Sequence, residues 1–139
     1  MPKYGDPNYW EERYRRQRHT TFDWLENYES LRSILANLVD KSHTILNIGC
    51  GNATITEEMY DDGYKRIWNM DISDEVIRQM QDRNYLRPEM VWETGDILNM
   101  KYADESFDVV FDKSTVPLTQ VPWMRYFVGS RLSSTWPRR

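Results

Sequence analysis

Thr44-Ile45-Leu46-Asn47-Ile48-Gly49-Cys50-Gly51 is a short apolar run that ends in two glycines one residue apart. Such a run predicts a buried strand entering a tight turn, because glycine lets the chain reverse sharply and lets backbone approach a ligand closely. Thr54-Ile55-Thr56-Glu57 follows with capping-box spacing, so a helix should begin there, and Gly63 is placed to stop it. That helix would aim its amide-rich start at whatever the glycines hold.

The same alternation continues outward. A strand over 65–70 ends at Asp71, and Ser73 can cap a helix with Val76, Ile77 and Met80 on its inner face. A strand over 90–93 leads into Gly95-Asp96-Ile97, and a fourth over 107–111 runs up to Asp112-Lys113. Upstream, Asp6-Pro7 reads as a helix start carrying Tyr9, Trp10, Arg13 and Tyr14 and ending near Arg18. A second helix follows Trp24, with Leu31, Ile34, Leu35 and Leu38 forming one apolar stripe, and stops by Asp40. Strands alternating with helices imply right-handed crossovers and a parallel sheet, an α/β doubly wound fold.

The chain has 139 residues, one domain's worth, with 40% hydrophobic and 29% charged residues. A polar N-terminus (Pro2 to Asp6) and no long apolar run argue against a signal peptide and a membrane span, which makes the cytoplasm the expected location. One cysteine and two histidines leave no basis for an internal disulfide or a Cys/His zinc site. Cys50 is expected to be a small residue in a tight turn rather than a nucleophile. The net charge of -4 argues against a general nucleic-acid partner. The charge is unevenly spread: residues 117–139 hold four arginines and no acid.

In an open parallel sheet, ligands bind beyond the carboxyl ends of the strands. Here the four strands finish in a glycine turn (Gly49, Gly51), Asp71, Asp96 and Asp112-Lys113. A G-x-G alone marks a tight connection as readily as a nucleotide site. Asp71 lies 22 residues after Gly49, where the acid of a nucleotide-binding unit accepts from both ribose hydroxyls. The competing reading is that Asp71 merely begins a helix, a role Ser73 already fills. A dinucleotide fingerprint wants a third small residue where Thr54 stands, which weakens a nicotinamide cofactor. Asp96 beside the Ile97 amide can read adenine's amino group and a ring nitrogen, which favours S-adenosyl-L-methionine. Gly95-Asp96 is also compatible with a plain turn.

The run Ile45-Leu46-Asn47-Ile48-Gly49-Cys50-Gly51-Asn52, with Asn69-Met70-Asp71-Ile72-Ser73, Val76-Ile77 and Met80, resembles class I S-adenosylmethionine-dependent methyltransferases. Asn8-Tyr9-Trp10-Glu11-Glu12-Arg13-Tyr14, Phe22-Asp23-Trp24 and Phe107-Asp108-Val109-Val110-Phe111-Asp112-Lys113 narrow the resemblance to the branch whose members methylate elongation factor 1A. The resemblance spans about residues 7–116 and implies a Rossmann-like sheet of seven strands, of which this sequence accounts for about four. It implies that Trp10, Tyr14 and Trp24 cover the methionine end of the cofactor and that Gly49, with Gly51 in the same turn, approaches the methionyl part. Asp71 and Ile72 would serve the ribose side, Asp96 and Ile97 the adenine, and Lys113 the cofactor carboxylate or the transfer site. Asp112 would orient a substrate amine or take its proton, or simply end its strand. The implied partner is a protein substrate such as elongation factor 1A, with lysine N-methylation as the reaction and no metal.

After Lys113 the family pattern of Gly-Thr and Leu-Asp is replaced by Ser114-Thr115-Val116-Pro117. We therefore expect residues 1–116 to be the N-terminal part of a methyltransferase domain and 117–139 a basic, irregular tail outside the family. Strand four would then be an open edge. On this reading the chain is C-terminally truncated, and cofactor binding could survive where turnover does not. A non-catalytic fragment that binds cofactor or a partner is the alternative function, and a nicotinamide-dependent oxidoreductase a distant one.

Overall fold

The computed structural model describes residues 2–21, 27–103, 105–113 and 126–129. Two helices, α1 (Pro7–Arg16) and α2 (Tyr28–Leu38), precede β1 (Ile45–Ile48), α3 (Ile55–Asp61), β2 (Ile67–Asp71), α4 (Asp74–Arg83), β3 (Val91–Thr94), a 3-10 turn (Ile97–Asn99), β4 (Val109–Lys113) and β5 (Tyr126–Gly129). The sheet order is β3-β2-β1-β4-β5. The first four strands are parallel, and β5 runs antiparallel to β4. The chain steps one way from β1 to β3 and returns on the other side of β1 to form β4. The switch point therefore lies between β1 and β4, at Ile48 and its ladder partner Asp112.

Alternating residues divide the core in two. Ile45, Ile67, Val109 and Phe111 face a layer made by Tyr14, Leu35, Ile55, Met59, Val76, Ile77 and Met80 from the four helices. Leu46, Ile48, Met70 and Val110 face the opposite way, onto Ile97, Phe107 and the partly buried Leu98, Met100 and Tyr102. Among the described residues, the second face is covered by the β3–β4 connection alone. Asn47 donates to Asn69, which donates to the Val91 carbonyl, so the buried amides within the sheet are satisfied across three strands.

Two of the local capping signals are realised. Asp6 accepts from the Asn8 N–H at 2.9 Å, and Ser73 from the Val76 N–H at 3.2 Å. The Thr54 capping box is not formed, since Thr54 lies in helical backbone and caps nothing. Glu57 instead accepts from the Arg83 guanidinium at 2.5 Å and from the Asn84 amide at 2.9 Å. Charge-assisted bonds to an arginine outweigh a neutral backbone amide. The α2 stripe is also split: Leu31 and Leu35 are buried, while Ile34 and Leu38 stay 51% and 59% exposed. Only one edge of the stripe meets α3 and the sheet. Leu35→Ala should accordingly cost about 2–5 kcal/mol and Ile34→Ala much less, a difference that thermal melts of the two variants would show.

The tail differs from expectation at residues 126–129. Tyr126-Phe127-Val128 is β-prone, and the outer edge of β4 offers unpaired amides and carbonyls. The two pair with Val110 opposite Gly129 and Lys113 opposite Tyr126, so β4 is not an open edge. Strand four itself begins and ends two residues later than expected, which places Asp112 and Lys113 inside it. No helix among the described residues is long and apolar enough to cross a membrane.

Candidate active site

The glycine turn is built as the sequence suggests. Gly49 has φ of 60° and Gly51 φ of 52°, a left-handed backbone that side chains with a Cβ resist. The Cys50 N–H donates to the Met70 carbonyl at 3.0 Å, which anchors the turn to the end of β2. Cys50 is buried, and burial first, then the nearby Asp71 carboxylate, pushes its thiol up, so it is not a poised nucleophile.

Asp71 ties the turn to the next connection. Its Oδ2 accepts from the Gly51 N–H at 2.9 Å and its Oδ1 from the Ser73 N–H at 3.1 Å. Asp71 is buried and forms no ion pair among the described residues. Burial pushes its pKa up to about 6, while backbone donors, Ser73 and Gly51 foremost, pull the other way. A carboxylate offers about four acceptor positions. A buried one held by neutral amides alone fits a further donor such as a sugar hydroxyl.

Asp96 and Ile97 begin the 3-10 turn beyond β3. Asp96 is half-buried, and its carboxylate accepts from the Leu98 N–H at 2.9 Å, while the Ile97 side chain is buried in the second core face. Gly95 brings this turn to Asp71 by donating to the Asp71 carbonyl at 2.8 Å. Ile72, half-buried, lies between Asp71 and Ser73.

From α1, Trp10 and Tyr14 stack at 6.0 Å between ring centroids, and Trp10 donates its indole N–H to the Tyr4 carbonyl. Tyr14 is buried against the glycine turn, where a Cβ on Gly51 would stand 2.8 Å from its hydroxyl. Burial, then Asp71 and Cys50, raises the phenol, which keeps it neutral. Asp112 is 1% exposed and lies opposite Ile48 on one side and Phe127 on the other. Lys113 has its backbone in β4, but its side chain lies outside the described residues, as does all of Trp24. The structure thus gathers Gly49, Gly51, Asp71, Ile72 and Tyr14 directly, brings Asp96 and Ile97 in through Gly95, and sets Asp112 at the switch point.

Two positions that local pattern does not disclose also shape the site. Arg83 donates to the Asn52 and Ala53 carbonyls at 3.0–3.1 Å, fixing the chain just after the glycines. Glu11 reaches from α1 to Ser73 and Glu75. Both contacts join residues far apart in sequence, which no periodicity marks.

Comparison with known proteins decides the family. Residues 45–128 match the sequence profile of the methyltransferase domain. The chain belongs to this methyltransferase family. The mouse "eEF1A lysine and N-terminal methyltransferase" is 37% identical over 115 residues, 82% of this chain but 16% of the mouse protein. The mouse "EEF1A lysine methyltransferase 4" is 30% identical over 115 residues, 45% of its own length. The PH0226 protein of Pyrococcus horikoshii superposes with a TM-score of 0.58 at 23% identity, covering 78% of this chain and 57% of that one. The glycopeptide N-methyltransferase MtfA, solved with sinefungin, gives 0.55 at 18%, covering 69% and 43%. These superpositions show that the methyltransferase domain has the class I fold, with its Rossmann-like sheet represented here by four parallel strands. The profile match runs through residue 128 and so includes most of β5.

Proposed function

We propose that this chain binds S-adenosylmethionine and serves methyl transfer to an amine of a protein, with a lysine of an elongation factor 1A-like substrate as the acceptor. The observation that carries the reading is Asp71, a buried carboxylate hydrogen-bonded to the glycine turn in a chain of the methyltransferase family. The acceptor class rests on the names of the relatives, of whose first members the chain spans about one-sixth.

The residues fit the group. Asp71, with Ile72 beside it, would take the ribose hydroxyls, and Asp96 with the start of the 3-10 turn the adenine. Gly49 and Gly51 allow close approach of backbone, and Trp10, Tyr14 and Trp24 would cover the methionine end. Lys113, at the end of β4, would serve the cofactor carboxylate or the transfer site. When bound, the cofactor supplies a methyl group on a sulfonium, an electrophile that needs no metal. The chain's work is to align that group with a neutral amine and exclude water. The methyl would pass from sulfur to the amine nitrogen, leaving a neutral thioether, and the acceptor ammonium would give its proton to solvent water beforehand. Asp112, beside Ile48 at the switch point, would orient the amine; its burial favours that role over free exchange of a proton with solvent.

Calorimetry with S-adenosylhomocysteine tests the reading, with NAD as the competing ligand. Binding requires ionised Asp71, whose folded pKa stands above the ordinary carboxylate value. In the free protein that shift favours the protonated form: its contribution is present at low pH and lost as pH rises through about 6. Ligand affinity runs the opposite way. It should be flat above pH 7 and about tenfold weaker at pH 5, where a carboxyl of pKa near 6 is about one-tenth ionised. No binding at pH 7.5, or displacement by NAD, would overturn the assignment.

A further inference from the structure

Glu11 stands on the second turn of α1, outside the strand-and-glycine unit, yet it is wired to it. Its Oε2 accepts from the Ser73 hydroxyl at 2.5 Å, and both carboxylate oxygens lie 3.0 Å from the Glu75 N–H. The two partners are the cap residue and the second residue of α4. Ser73 is fully buried, and its single hydroxyl proton is used on Glu11. Its oxygen is thereby oriented to accept from the Val76 N–H, and its own N–H donates to Asp71 Oδ1. Asp71 Oδ2 in turn holds the Gly51 N–H. A continuous chain of bonds thus runs from α1 through Ser73 and Asp71 to the glycine turn.

A second polar tie runs alongside. Gln79 donates to the Tyr14 carbonyl and to Glu75, and Arg18, just past the end of α1, pairs with Glu75 at 2.8 Å. The α1–α4 contact therefore combines the apolar packing of Tyr14 with specific charge-assisted bonds, which fix orientation more narrowly than apolar packing alone.

We infer that Glu11 is a positioning residue: by holding Ser73 and the first turn of α4 it sets the Asp71 carboxylate and, through it, the Gly51 amide. The role assigned to Asp71 rests on the cofactor reading above, but the effect on Gly51 does not. Docking of α1 would thus be coupled to the ribose-binding geometry.

Glu11→Gln is the sharpest test. The amide keeps one oxygen where the carboxylate has two: placed on Ser73, it turns its NH2 towards the Glu75 N–H, and placed the other way, it leaves the Ser73 proton without its acceptor. S-adenosylhomocysteine affinity should fall about tenfold, the equivalent of one charge-assisted bond. Amide exchange at Gly51, a residue Glu11 does not touch, should accelerate. Ser73→Ala should do the same, and the double variant should lose little more than either alone. A variant that melts earlier while keeping both ligand affinity and Gly51 exchange at wild-type values would reduce Glu11 to a helix-capping group and overturn the inference. Additive losses in the double variant would overturn it as well. If the unaltered chain bound no S-adenosylhomocysteine, the cofactor reading would fall, and Gly51 exchange alone would decide whether Glu11 orders the turn.

Discussion

Asp71→Asn should weaken S-adenosylhomocysteine binding about a hundredfold, because hydrogen bonds to a charged group contribute about 1.5–3 kcal/mol each and the ribose hydroxyls would lose that charge. The variant keeps the size of the side chain, so the loss reports chemistry rather than a cavity. Both native oxygens face N–H donors, Gly51 on one side and Ser73 on the other. An amide must therefore turn its NH2 towards one of them. A donor left against a donor in a buried place costs about 1–3 kcal/mol, so the melting temperature should also drop by several degrees. Part of that loss is offset, since the native carboxylate bears a burial penalty that the neutral amide escapes. Titration calorimetry and a thermal melt on the same sample separate the two effects. Unchanged affinity in a folded Asp71→Asn chain would remove Asp71 from the binding site and with it the main support for the cofactor assignment.

What could be read in the sequence is what local chemistry decides. The apolar run 44–48 reads as a buried strand, the glycines that follow as a sharp turn, and Ser73 as the cap of its own helix, and each depends on neighbours in sequence. The placing of Asp71 beside the glycine turn was legible for the same reason, by its distance from Gly49 in a βαβ unit. Where a residue had a distant competitor, local pattern failed. The Glu57 carboxylate had Arg83 available, 26 residues on, and the Thr54 cap was lost to it. Ile34 and Leu38 satisfy the helical period as well as Leu31 and Leu35 do, but α2 meets the body of the domain along one edge only. Residues 126–129 read as part of a proline-rich, arginine-rich tail, yet a free strand edge is a strong template for a Tyr-Phe-Val segment. The missed contributions of Glu11 and Arg83 belong to the same class: each is a single charged side chain whose partner is set by the folded topology.

Gly51→Ala should be a strongly damaging single-methyl change, and its second-site response is specific. Two costs arise. The backbone there has φ of 52°, and a left-handed conformation costs a residue with a Cβ about 1–2 kcal/mol. The added Cβ would also lie 2.8 Å from the Tyr14 hydroxyl, closer than contacts of this kind occur. Tyr14 is buried beneath α1, stacked with Trp10, and cannot swing away without undocking the helix. The next atom of the ring, Cζ, would stand at 3.8 Å, an ordinary contact. Removing only the hydroxyl should therefore abolish the clash and leave the backbone cost in place. Gly51→Ala is expected to lower stability by about 2–5 kcal/mol in total, overpacking adding to strain. Tyr14→Phe in the same chain should recover the overpacking part and no more. Chemical denaturation of the two single variants and the double variant measures this directly. Equal and additive losses would mean that the ring does not rest on the turn, and that α1 closes the site by some other contact. Partial recovery would establish that the first helix and the glycine turn form one packed unit, so that any displacement of α1 must be felt at the turn proposed to hold the cofactor.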